Sequence, residues 1–143
     1  MNNISPAPQP AVLFVCAKNG GKSQMAAGLM KLVAGDQLTV TSAGTKPGAT
    51  INALSAEVLM DLGVDISAEQ PKALTEENMR AAGLVVVLGT EAKVPELEGV
   101  RVEIWETDEP SLRGIEGRER MELVRDDIYA RVKDLARRLT TMP

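Results

Sequence analysis

The sequence predicts an α/β fold, a three-layer sandwich in which helices cover both faces of a four-stranded parallel sheet with strand order 2-1-3-4. Two short segments, Ala11–Cys16 and Leu84–Leu88, are uninterrupted apolar runs, which is typical of strands that are buried on both faces. Such runs alternate along the chain with segments whose apolar residues recur every three or four positions, as in amphipathic helices. Right-handed crossovers between parallel strands then lead to the predicted strand order.

The first half of the chain contains two strands and two helices. The strand over residues 11–16 runs into a polar, glycine-rich loop and then into a helix over residues 23–35. Alternating apolar residues predict a second strand over residues 38–42. A second helix is predicted over residues 52–62, because Gly63 stands where a helix C-cap glycine belongs.

The second half repeats the alternation. Thr75, followed by Glu76 and Glu77, predicts the N-terminus of a short helix that ends near residue 82, and strands follow over residues 84–88 and 100–104. A polar loop over residues 105–117 then leads into a long final helix. The apolar stripe of that helix consists of Met121, Val124, Ile128, Val132, Leu135 and Leu139.

The chain is predicted to form one domain over residues 11–139, preceded by a flexible, proline-rich N-terminal segment over residues 1–10. That segment lacks the basic start and apolar run of a signal peptide, and no later run has the length of a membrane span. We therefore expect a cytoplasmic protein that does not interact with membranes.

The composition excludes several classes of chemistry. The 143 residues include one cysteine and no histidine, so histidine-based catalysis, an intrachain disulfide and a cysteine-type zinc site cannot form. We predict no metal site. The net charge is -4 and only three residues are aromatic, which argues against nucleic acid as a partner.

The most informative segment is the loop after the first strand. Ligands of open α/β sheets bind beyond the carboxyl ends of the strands, where this loop is predicted to lie. Its two successive glycines let backbone N–H groups converge on an anion, and the next helix adds the positive end of its dipole. The predicted anion-binding residues are Ala17, Lys18, Asn19, Gly20, Gly21 and Lys22.

Cys16 is the predicted reactive residue of this loop, because a helix N-terminus and a neighbouring cation both stabilise a thiolate. Two other interpretations stay open on these residues alone. A lone cysteine at the end of a buried strand is often only a small apolar side chain. Gly21-Lys22-Ser23 also matches the end of the nucleotide-binding P-loop, although Cys16 replaces its first glycine and Gly89 follows the strand where a metal-binding aspartate would be expected.

From this loop onward the sequence resembles the low-molecular-weight protein tyrosine phosphatase superfamily, in which a C-x5-R-S motif follows the first strand. The likeness covers about residues 11–139 and includes the SAGTKP segment at residues 42–47 and an acidic residue before Pro110. Lys22 replaces the usual arginine of the motif. Within the superfamily, residues 19–26 and the SAGTKP segment are similar to the actinobacterial, mycothiol-dependent arsenate reductases, also called arsenate-mycothiol transferases.

The resemblance implies roles for individual residues. Cys16 would be the reactive thiolate, Lys22 would balance the charge of the oxyanion, and Ser23 would donate a hydrogen bond to the thiolate. The general acid of the superfamily is the carboxylate immediately before proline. That residue is Glu109 here, with Asp108 as the alternative one position earlier.

The resemblance also implies partners for the single cysteine. Arsenate would form an adduct with a low-molecular-weight thiol, with mycothiol as a co-substrate rather than a tightly bound cofactor. A mycoredoxin or a glutaredoxin-like protein would then release arsenite. The sequence allows either attack of Cys16 on arsenic or activation of the external thiol by Cys16.

Two other functions are considered. The first is a phosphatase acting on phosphotyrosine or a small phosphate ester, with Trp105 as one wall of the pocket; Lys22 counts against it, because lysine lacks the planar fork with which arginine binds phosphate. The second is a non-catalytic oxyanion-binding regulator. Four arginines near the last helix are predicted to form a solvated face, with docking of an anionic thiol as the alternative. They are Arg113, Arg118, Arg120 and Arg125.

Overall fold

The computed structural model describes residues 9–140 and confirms the predicted fold class and strand order. One parallel sheet has the order β2-β1-β3-β4. Its strands are β1 (Ala11–Cys16), β2 (Thr39–Gly44), β3 (Leu84–Leu88) and β4 (Arg101–Trp105). The α-helices are α1 (Lys22–Ala34), α2 (Ala53–Met60), α3 (Glu76–Ala82) and α4 (Gly117–Thr140), and short 3-10 turns cover Gly35–Gln37 and Pro110–Arg113.

The structure shifts some predicted boundaries. β2 continues two residues beyond the predicted strand, because it stays in register with β1 until Cys16 pairs with Gly44. The predicted flexible segment over residues 1–10 falls mostly outside the described residues. Within it, Pro10 accepts a hydrogen bond from the backbone N–H of Thr39.

The two faces of the sheet bury different helices. Val12 and Phe14 of β1 belong to the larger core, which α1, α2 and α4 cover. The intervening residues Leu13 and Val15 point to the other face and pack in a smaller core with Met79 of α3. This alternation explains why β1 is apolar at every position, and it makes the three layers of the predicted sandwich.

Cys16 lies at the edge of the sheet where the carboxyl ends of the strands meet. All four strands are parallel, so their carboxyl ends meet at the same side of the sheet. That side carries Cys16 at the end of β1 and Gly44 at the end of β2, beside the N-terminus of α1. Across residues 9–140, no helix is both long and apolar enough to cross a membrane.

An ion pair at the edge strand makes stability depend on pH. Arg138 of α4 donates to the Glu103 carboxylate of β4 at 2.7 Å, and the Trp105 indole N–H donates to it at 2.9 Å. The Arg138 hydrogen bond lowers the pKa of Glu103 from its ordinary value of 4.5. A carboxyl group with a lowered pKa in the folded state stabilises the protein above the ordinary value, and this stabilisation is lost as the pH falls below it.

We therefore expect Glu103→Gln to lower the free energy of unfolding at neutral pH by up to about 1 kcal/mol, because the pair is partly exposed. The difference from the parent protein should shrink as the pH falls below 4.5. Denaturant unfolding at several pH values measures this. Glu98→Gln is the control, because Glu98 is exposed and has no ion pair among the described residues. A difference that persists unchanged in acid would contradict the assignment.

Candidate active site

Cys16 lies at the carboxyl end of β1 and is partly exposed. It lines a cavity of about 260 Å³ together with Lys22, Glu109 and Arg120. A cysteine that served only as an apolar residue at the end of a buried strand would not open onto a charged cavity. The location therefore favours a chemical role for the thiol.

Two donors point at the sulfur of Cys16. The backbone N–H of Asn19 donates to Sγ at 3.2 Å, and the hydroxyl oxygen of Ser23 lies 2.9 Å from it. Ser23 Oγ itself accepts a hydrogen bond from Nδ2 of Asn19 at 2.7 Å. Because the Asn19 amide already donates to this hydroxyl, the hydroxyl proton is free to point at the sulfur. Both contacts stabilise a thiolate.

The orientation of the Asn19 amide follows from its other contacts. Its Oδ1 accepts from the backbone N–H of Lys72 at 2.9 Å and from Nε2 of Gln24 at 3.2 Å. The Lys72 N–H can only donate, so it requires the amide oxygen on that side and leaves Nδ2 facing Ser23. Asn19 is fully buried and has φ of +54°. Asparagine is among the few residues that tolerate this left-handed conformation.

The carbonyl groups of the loop are all turned away from its interior. Six consecutive carbonyl oxygens, from Cys16 to Gly21, accept hydrogen bonds from elsewhere in the chain. Four of the donors are backbone N–H groups of the segment after β2, which we call the supporting loop (residues 45–52). Those four are Thr45, Lys46, Gly48 and Asn52, and the other two donors are Gln24 Nε2 and the Met25 N–H.

This arrangement leaves backbone donors available for an anion. Among the described residues, the N–H groups of Lys18, Gly20, Gly21, Lys22 and Ser23 have no acceptor. They belong to the loop and to the first turn of α1, where the helix dipole is positive. The predicted anion-binding residues are thus assembled in one place, and their contact with substrate stays a prediction.

The two predicted acids have different surroundings. Glu109 Oε1 lies 2.5 Å from Nζ of Lys22, and both side chains line the Cys16 cavity. Asp108 instead accepts two hydrogen bonds from Arg113, at 2.8 and 3.1 Å, and does not line that cavity. The Arg113 guanidinium lowers the pKa of Asp108, which disfavours the protonated form. Of the two carboxylates only Glu109 lies beside Cys16, and its role as the acid stays a prediction.

Trp105 does not form a wall of the site. Its side chain is only 4 % exposed and packs in the core against Phe14, with ring centroids 5.7 Å apart. The prediction that Trp105 forms a wall of a phosphotyrosine pocket is wrong. The side chain packs in the larger core among residues of α4, and not at the carboxyl end of the sheet.

The arginine cluster divides in two. Arg113, Arg118 and Arg125 all form ion pairs with neighbouring carboxylates, as a solvated face requires. Arg120 differs, because it lines the Cys16 cavity. Its spacing along α4 does not distinguish it in the sequence from the other three arginines. No group of three or more His, Cys, Asp or Glu side chains within residues 9–140 is arranged to hold a metal ion.

A family model described as low molecular weight phosphotyrosine protein phosphatase matches residues 11–142. The chain belongs to this family. The match supports the phosphatase-type loop over the nucleotide-binding P-loop, since both readings use Gly21-Lys22-Ser23 but only the first uses Cys16.

Several relatives within this family are arsenate reductases by name. Arsenate reductase 1 of Staphylococcus epidermidis is 31 % identical over 131 residues, which are 90 % of this chain and 96 % of that protein. A thioredoxin-dependent arsenate reductase of Corynebacterium glutamicum superposes with a TM-score of 0.79 at 32 % identity. The match covers 94 % of this chain but only 64 % of that one. A tyrosine phosphatase of Erwinia amylovora shares the fold, with a TM-score of 0.76 at 17 % identity over 96 % of this chain and 97 % of that one.

The close approach of β2 to the loop that follows Cys16 allows a test of how this loop is shaped. A Cβ atom at Gly44 would lie 2.7 Å from the carbonyl oxygen of Ala17 and 2.9 Å from Cβ of Asn19. Gly44→Ala should therefore displace the loop, lower stability by about 1–3 kcal/mol and weaken phosphate binding. Calorimetric titration with inorganic phosphate and thermal unfolding measure both effects.

Gly48→Ala is the matched control for Gly44→Ala. Its Cβ would meet Cβ of Lys18 at 3.7 Å, an ordinary contact, and the Gly48 N–H bond to the Lys18 carbonyl would be kept. Equal phosphate affinity in the two variants would show that the fit of β2 against the loop does not shape the anion site.

Proposed function

We propose that this protein reduces arsenate with the help of an external low-molecular-weight thiol. The observation that carries the proposal is a single cysteine held by two hydrogen-bond donors in an anion-binding loop, in a chain that has no second cysteine. The relatives named arsenate reductase support arsenate as the oxyanion.

The first step forms an arsenic–sulfur bond. Arsenate is held by the backbone N–H groups of the loop and by Lys22. The external thiol becomes bonded to arsenic, one arsenate oxygen takes up protons and leaves as water, and arsenic stays pentavalent. Hydroxide is a poor leaving group, so an acid is needed at this point. Glu109 is the proposed donor, because it lines the same cavity as Cys16. Since it rests as a carboxylate beside Lys22, it first takes up the proton that the thiol loses and then passes it to the leaving oxygen.

The second step reduces arsenic with the thiol of the adduct and a thiol of a partner protein, and Cys16 takes no part in it. A thiolate of a mycoredoxin or a glutaredoxin-like protein attacks the sulfur of the adduct. The electron pair of the arsenic–sulfur bond passes to arsenic, which leaves as arsenite, and the two sulfurs form a mixed disulfide. The two thiols thus provide the two electrons. Such partners place the reaction in the reducing cytoplasm.

Mycothiol is the proposed thiol, because residues 19–26 and the SAGTKP segment resemble the mycothiol-dependent branch. It acts as a co-substrate, and no tightly bound cofactor is proposed. The thioredoxin dependence named for the Corynebacterium glutamicum relative offers a second route. Thioredoxin reduces a disulfide, however, and the one cysteine of this chain cannot form a disulfide within it.

Cys16 has one of two roles in the first step. As a nucleophile it would bond to arsenic before the external thiol replaces it, whereas as a base it would take the proton of that thiol. Hydrogen bonds from Ser23 and Asn19 stabilise the thiolate that both roles need. Trapping with labelled arsenate in the absence of any thiol separates them, because only the nucleophile gives labelled protein.

Ester hydrolysis by the same loop is a weaker candidate. Lys22 is a point charge rather than a fork, and Trp105 is buried away from the cavity. A non-catalytic oxyanion regulator would bind phosphate and arsenate without turnover, so the arsenite assay below distinguishes it.

We expect purified protein to release arsenite only when a low-molecular-weight thiol and its redoxin are added. Arsenite release is measured with mycothiol and mycoredoxin, with glutathione and glutaredoxin, and with thioredoxin and its reductase. The Cys16→Ser variant is the control and should be inactive. Sustained turnover with thioredoxin alone, or full activity of Cys16→Ser, would disprove the mechanism.

We expect Lys22→Arg to raise hydrolysis of an aryl phosphate more than it raises arsenate turnover. A guanidinium can bind two equatorial oxygens of the phosphoryl group at once as its charge redistributes. Initial rates with an aryl phosphate and with arsenate are compared between the variant and the parent. Equal changes in the two rates would show that Lys22 does not determine the preference.

A further inference from the structure

Arg120 lies in the first turns of α4, at the junction of two cavities. One is the 260 Å³ cavity that contains Cys16. The other, of about 630 Å³, lies between the anion-binding loop, the supporting loop and α4. Lys18, Lys22 and Arg120 line both cavities. The Arg120 side chain therefore reaches the space beside the thiol from the opposite end of the chain.

The Arg120 guanidinium has no partner among the described residues. The other arginines of α4 each pair with at least one carboxylate: Arg118, Arg125, Arg131, Arg137 and Arg138. Nε of Arg120 is buried and has no hydrogen-bond acceptor. A guanidinium without an acceptor for its buried N–H lacks the pairing that the other arginines of α4 have, and the rest of the Arg120 side chain lines both cavities.

The cavity needs a second strong cation if it is to hold a doubly charged oxyanion. Lys22 is already paired with Glu109 at 2.5 Å, and Glu91 adds another carboxylate to the lining. The remaining cations are Lys18 and Arg120. Of these two, only Arg120 offers the planar pair of donors that matches two oxygens of arsenate or phosphate.

We propose that Arg120 binds the oxyanion, so that α4 supplies the guanidinium that this chain's loop lacks, since Lys22 stands in place of the usual arginine. This proposal rests on the proposed function and names a further binding residue for it. Because Arg120 stands at the junction, the same guanidinium can hold the oxyanion when arsenate is free and when it is bonded to a thiol in the larger cavity. Arg120 thereby becomes a determinant of affinity for tetrahedral oxyanions.

The test measures binding of inorganic phosphate by calorimetry, which needs no turnover. Arg120→Met keeps an unbranched side chain over α4 but removes the charge and the donors. It should weaken phosphate binding about tenfold or more, the size expected for lost hydrogen bonds to a charged group. Arg137→Met is the control, because it makes the same change of charge at the far end of α4 and should bind phosphate like the parent.

Arg120→Lys keeps the charge and should recover only part of the affinity, because an ammonium group cannot bind two oxygens in the same geometry. If Arg120→Met does not fold, Arg120→Lys alone tests the proposal. Phosphate affinity within twofold of the parent in either Arg120 variant would overturn the proposal, as would a parent protein that binds no phosphate.

Steady-state kinetics give a second readout. If Arg120 binds the oxyanion, Arg120→Met should raise KM for arsenate more than KM for the thiol, whereas an increase confined to the thiol would overturn the proposal. The binding role of Arg120 and the reduction of arsenate are tested by different measurements. Loss of phosphate binding in Arg120→Met supports the role of Arg120 even if the parent protein reduces no arsenate.

Discussion

The geometry of the site depends on the buried amide of Asn19. Its backbone is left-handed, its N–H donates to the cysteine sulfur, and its side chain fixes the direction of the Ser23 hydroxyl. The amide in turn is oriented by the backbone N–H of Lys72, which lies far along the chain. Residues 72–74 are themselves tied to the end of β2, where Gly44 exchanges backbone hydrogen bonds with Lys72 and Leu74. The hydrogen bonds at the Cys16 sulfur therefore depend on packing across three segments of the fold.

The supporting loop holds the carbonyl groups of the loop that follows Cys16. A loop that presents N–H groups inward must direct its carbonyl oxygens outward, and each of these needs a donor if it is not to lose a hydrogen bond. Residues 45–52 provide four of those donors, so the fold itself fixes the inward direction of the loop N–H groups. Preorganised dipoles of this kind stabilise charge without reorganisation during the reaction. The SAGTKP segment thus has a structural reason to accompany the cysteine loop.

The strands and α1 could be predicted from the sequence, because the pattern of apolar residues within each segment determines them. Continuous apolar runs located the strands, and the change of period after Gly21 located α1. The parts that could not be predicted depend on contacts between distant residues. Gln24 and Lys72 orient Asn19 through bonds that no spacing rule describes. The different surroundings of Glu109 and Asp108 follow from the 3-10 turn at Pro110–Arg113, which brings Arg113 to Asp108. Trp105 is drawn into the core by the register of β4 with β3, in which it lies beside Leu88.

The contact between Lys22 and Glu109 gives the resting site an internal counterion. An anion that enters the cavity must therefore compete for Lys22 with a carboxylate that is tethered there. A monovalent anion such as chloride offers Lys22 no more charge than the Glu109 carboxylate already does. A compact, multiply charged oxyanion also gains the backbone N–H groups of the loop, which Glu109 does not occupy. At Lys22 the tethered carboxylate consequently favours multiply charged anions over halides.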